Sequence, residues 1–93
     1  MLPDDNIKLD NYVVERDEAI TRSITEDSLE PFKSFVASWQ VKGAYPPCFK
    51  LPSDEVLKIT INKMAIHATK VDKKTKQKAC YWLLAHGYDL LLD

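Results

Sequence analysis

Residues 53–71 read SDEVLKITINKMAIHATKV, and the fold turns on whether this stretch is a strand or a helix. Leu57, Ile59 and Ile61 alternate with Lys58, Thr60 and Asn62, the two-residue period of a half-buried strand. Leu57, Ile61, Met64, Ala68 and Val71 form instead one stripe at helical spacing that covers 15 residues. The longer stripe prevails, because Ser53, Asp54 and Glu55 supply the capping hydroxyl and the two first-turn acids that a helix start favours. The stretch is therefore predicted to be helical over 53–71.

Towards the C-terminus, Asp72 is placed to cap a last helix over 73–86, with Ala79, Trp82, Leu83 and His86 on one face and Gly87 as its stop. Towards the N-terminus, Pro46, Pro47 and Pro52 exclude a helix from 44–52, which is expected to be a strap laid over the core by Tyr45, Phe49 and Leu51. Before it, Leu29, Phe32, Phe35, Val36 and Trp39 define one apolar helix face. Thr25 or Ser28 can accept from the free N–H groups at its start, Pro31 suits its first turn, and Gly43 ends it. Ala19, Ile20 and Ile24 predict a short helix over Glu15–Ile24. The weak alternation of Ile7, Leu9 and Asn11 with Lys8 and Asp10 reads as an extended arm over 1–14.

The expected architecture is thus mainly α: a small single-domain bundle of three to four helices with an extended N-terminal arm and a proline-rich strap. Its division is an acidic arm and short helix over 1–24, then a helical domain over 25–93. Ninety-three residues with 45% apolar content suffice for one small core, and two glycines are too few for the turns of a sandwich or barrel. The longest uncharged apolar run, Ala79–Ala85, is far short of the ~20 residues that span a bilayer. With no signal-peptide layout at the N-terminus, a cytoplasmic or other intracellular location is expected, with Cys48 and Cys80 as reduced thiols.

Charge is divided by position. Residues 1–30 carry nine acids against Lys8, Arg16 and Arg22, a net charge of −6, whereas residues 31–93 carry ten lysines against five acids, a net charge of +5. The total of −1 conceals a dipolar molecule suited to charged partners. Lys70, Lys73, Lys74, Lys76 and Lys78 fall within nine residues, at a turn and a helix start where positive charge opposes the macrodipole. Phosphates are the natural partner of such a cluster. Two helices over 53–71 and 73–86 would present these lysines and Gln77 as a helix-turn-helix presents its second helix. Without arginine or asparagine there, the cluster implies salt-sensitive phosphate contact rather than base reading.

No catalytic constellation emerges. Phosphate loop and nucleophile elbow are missing, and Cys80 and His86 lie near opposite sides of one helix. His67, His86, Cys48 and Cys80 have no zinc-ligand spacing, so neither metal nor cofactor is expected, and His67 reads as a helix-face residue. Tyr81 and Trp82 point about 100° apart on a helix, which leaves one of them as a candidate interface anchor. The preferred expectation is a non-enzymatic adaptor, inhibitor or regulator that contacts a protein partner through Asp17, Glu18, Glu26, Asp27, Glu30, Tyr81 and Tyr88. The alternative is a nucleic-acid-binding module that uses Lys70, Lys73, Lys74, Lys76, Gln77 and Lys78. A third course for the charge is internal, with the acidic segment covering the lysines in cis.

Overall fold

A computed structural model describes residues 3–43 and 49–88, with side chains from Asp10 onward. Four helices account for the described fold: α1 (Pro3–Thr25), α2 (Glu30–Val41), α3 (Asp54–His67) and α4 (Lys73–Ala85). No strand occurs among the described residues, so 56–62 is helical. α1 packs with α2, and α3 packs with α4. α1 also lies against both α3 and α4, which joins the two hairpins around one core.

The expected extended arm is overturned, because α1 begins at Pro3 and runs for 23 residues. Pro3, Asp4 and Asp5 open it, and a fixed φ and negative charge are both favourable in a first turn. Within this stretch Tyr12 makes tertiary contacts that a five-residue alternation does not reveal. The Tyr12 ring lies 5.2 Å from Phe35 and 5.2 Å from Trp39, the latter edge-on. Tyr12 thereby continues the helical stripe of Ala19, Ile20 and Ile24 onto α2. The proline strap falls largely outside the described residues, since 44–48 are not among them. Phe49–Pro52 are non-helical, and Phe49 and Leu51 pack against the core.

Local signals set most of the helix ends. Gly43 at φ 85° and Gly87 at φ 79° occupy the left-handed positions after α2 and α4. The end of α1 uses the same device without glycine: Asp27 sits at φ 52°, its N–H donates to the Ile24 carbonyl, and the Ser28 N–H donates to that of Ser23. Short polar side chains tolerate that region best after glycine. The Ser23 hydroxyl then accepts from the Phe32 N–H at 3.1 Å, and Ser28 Oγ from the Glu30 N–H at 3.2 Å, so the turn that ends α1 also caps α2. Ser53 Oγ accepts from the Val56 N–H at the start of α3.

α3 stops at His67, four residues before the expected end at Val71. The cause lies on α1. Asp17 is fully buried, and its Oδ2 accepts from the Lys70 backbone N–H at 3.3 Å, while Oδ1 accepts from Arg16 Nε and Nη2, both at 3.1 Å. With Lys70 N–H committed to Asp17, the chain leaves the helix at Ala68, which is extended, and returns to it only after the Asp72 cap. Ala68 and Val71 remain buried within this turn, so the apolar stripe read from the sequence is used although its last part is not helical.

Asp17→Ala removes the acceptor of Lys70 N–H and leaves space where a charged hydrogen-bond acceptor stood. The expected loss is about 2–3 kcal/mol of unfolding free energy, measured by urea denaturation, as for hydrogen bonds to charged groups.

Candidate functional site

The five-residue turn 68–72 leads into α4, whose first turn depends on Asp72. Its Oδ2 accepts from the Thr75 N–H at 3.4 Å, and the Thr75 hydroxyl donates to Oδ1 at 2.6 Å. Thr75, Ala79 and Leu83 then form the buried face of α4. At 100° per residue the exposed residues Lys73, Lys74, Gln77, Lys78, Tyr81 and Leu84 fall within an arc of about 140° on the other side. Lys70 is exposed in the turn beside them. Lys76 is half-buried and lies across the buried face from Lys78, so the cluster divides and Lys76 is not part of the exposed arc. Tyr81 is 70% exposed and Leu84 57%, which identifies Tyr81, not Trp82, as the outward ring of the adjacent pair.

Trp82 turns toward the core edge and gathers other groups. His86 stacks on it at 4.1 Å, and the imidazole Nδ1–H donates to the Trp82 carbonyl at 2.8 Å, satisfying an end-of-helix acceptor. Tyr88 is half-buried and lies nearly parallel to Trp82 at 6.2 Å, with its N–H donating to the Leu83 carbonyl. Tyr88 is therefore packed against α4 rather than standing free as an anchor. Lys58 Nζ sits 5.5 Å from the Trp82 centroid, beside a cavity of about 80 Å³ lined by Asp27, Ser28, Asn62, Lys78 and Trp82 among others. The Trp82–His86 spacing of four residues was a signal for this stack, whereas the approach of Lys58 has no local one.

Ion pairing is uneven across the molecule. Glu26 pairs with Arg22 at 3.1 Å, Asp27 with Lys58 at 3.2 Å, Glu15 with Lys42 at 4.0 Å and Asp54 with Lys33 at 2.9 Å. The Asp54 carboxylate, by its hydrogen bond first, holds the Lys33 ammonium above its usual range. Among the described residues none of Lys70, Lys73, Lys74, Lys76 and Lys78 makes such a pair. Of the described acids of α1, Glu15 and Asp17 meet cations elsewhere and none pairs with these lysines, so they do not cover the cluster in cis.

The acids expected at a protein interface divide likewise. Glu18 and Glu30 are exposed and Glu26 and Asp27 are exposed but paired, whereas Asp17 is removed from any surface role by its burial. Adjacent helical residues point about 100° apart, so Asp17 faces inward where Glu18 faces water. Cys80 is a free thiol, and Cys48 lies outside the described residues. No group of three or more His, Cys, Asp or Glu residues converges to hold a metal among the described residues. No described helix is long and apolar enough to cross a membrane.

The Asp72 carboxyl is held below its ordinary value of 3.8, first by the Thr75 hydroxyl and then by backbone N–H groups including that of Thr75, against an opposing desolvation. The folded state therefore binds fewer protons at this site than the unfolded chain. The stabilisation is complete above 3.8 and is lost as pH falls through the lowered value. Acid titration followed by circular dichroism should show α4 weakening below about pH 4. Asp72→Asn should flatten that limb while keeping a cap, and Asp72→Ala should also lower the melting temperature at neutral pH.

Comparison with protein-family models, with curated proteins and with solved structures finds no match, which leaves the geometry of α4 as the basis for a functional reading.

Proposed function

We propose that this chain is a non-enzymatic binding protein whose contact surface is the outer face of α4, and that its partner is the phosphate backbone of a nucleic acid. One observation carries the reading: every described ion pair uses a cation outside the cluster, while Lys70, Lys73, Lys74 and Lys78 stand exposed without an acidic partner among the described residues. A lysine is a strongly hydrated point charge that suits phosphate without reading sequence. Gln77 sits between Lys73 and Lys78 on the same face and is the one side chain there equipped to read a base edge bidentately. The connectivity of α3, a five-residue turn and α4 supports a helix-turn-helix-like presentation of these residues. A net charge of −1 makes the local face, rather than the whole molecule, the attractive element.

Fluorescence anisotropy with labelled oligonucleotides tests this reading. Binding should weaken steeply as salt rises, and each of Lys73→Ala, Lys74→Ala and Lys78→Ala should lower the log–log salt slope by about one. Lys76→Ala should change it less, because Lys76 lies outside the exposed arc. Absence of binding to any duplex or single strand at ~50 mM salt would end the reading.

A second reading, contact with a protein partner, is favoured by Tyr81 and Leu84, two large groups exposed on that face, and by the unpaired exposed acids Glu18 and Glu30. It predicts a partner captured from nuclease-treated extract and lost on Tyr81→Ala or on charge reversal of Glu18 and Glu30. Capture that is abolished by nuclease would reject it.

A further inference from the structure

Lysines alone do not distinguish a duplex from a single strand, but an exposed ring on the same face does. Resting on the phosphate-binding reading above, we propose that the ligand of α4 is single-stranded nucleic acid, held by lysines along the first half of the helix and by base stacking on Tyr81 along the second. Tyr81 is 70% exposed and follows Lys78 by three residues and Lys74 by seven, which puts it on the same face and about one turn beyond the last lysine. His86, exposed and stacked on Trp82 at 4.1 Å, lies about 140° around the helix from Tyr81 and so is not part of this face.

A duplex offers such a ring no base faces, because its bases already stack on one another. A single strand offers both parts at once, phosphates for Lys73, Lys74 and Lys78 and an unstacked base for Tyr81. Leu84, 57% exposed and three residues beyond Tyr81 on the same face, adds an apolar surface of use to a base and none to a phosphate. Because stacking accepts any π-face, little sequence preference accompanies the binding.

The test compares a labelled oligothymidylate with a duplex of equal length by anisotropy at ~50 mM salt. The single strand should bind more tightly. Tyr81→Leu should weaken it about tenfold while leaving duplex affinity unchanged, and Tyr81→Phe should retain it. His86→Ala, off this face, should leave both affinities unchanged, and the duplex affinity of each sample reports whether the variant is folded. Equal affinity for the two forms, or Tyr81→Leu without effect on the single strand while lysine variants still lose binding, overturns the stacking inference and leaves phosphate contact standing. Binding of neither form overturns both, as does tight binding to an acidic polypeptide with none to nucleic acid.

Discussion

The contact between the Asp17 carboxylate and the Lys70 backbone N–H links residues 53 positions apart and holds the second hairpin in place on the first. Taking a carboxylate out of water costs several kcal/mol unless hydrogen bonds replace the lost hydration. Here Arg16 supplies two donors to one oxygen and the turn supplies one to the other. The direction of dependence is clear from the surroundings. Ala68 and Val71 are buried in the turn where the chain leaves α3, and Asp72 at the end of that turn caps α4. The exposed face of α4 thus depends on a buried residue of α1.

Charge has two uses in this molecule, and burial separates them. Asp17 works inside as a structural acceptor, while Glu26, Asp27, Glu15 and Asp54 neutralise surface cations at Arg22, Lys58, Lys42 and Lys33. Surface pairs of this kind contribute about 0–1 kcal/mol each. Their importance lies in what they leave over. Lysines at the start of α4 oppose the helix dipole, yet the described structure compensates them only with the Asp72 cap. A helix start that carries this repulsion without internal compensation is suited to anions from outside.

Capping, stop and face signals carried by neighbouring residues agree with several observed elements. Ser53 and Asp72 cap helices, Gly43 and Gly87 end them, and Phe32, Phe35, Val36 and Trp39 bury one face of α2. The lysines of 70–78 and the outward ring of the Tyr81–Trp82 pair were likewise visible as candidates. An acid near a helix start looks the same whether it faces water or a distant backbone donor, so the burial of Asp17 has no local signal. Sequence proximity does not tell which side of α4 meets the core, which is what separates Lys76 from its neighbours. The helix over the expected arm has no strong local signal either, because the partners of Tyr12 lie on α2, more than 20 residues away.

The sequence by itself determined that this protein is helical, where α2 and α4 end, and that its charge is split between the first 30 residues and the rest. These properties depend on periodicity, capping and composition, all of which act within a few residues. Only the tertiary structure decided that α1 reaches Pro3, that α3 stops at His67, and which lysines stand together with Tyr81. Those outcomes depend on contacts between distant segments, and a buried hydrogen bond acquires its strength only once the rest of the core has excluded water around it.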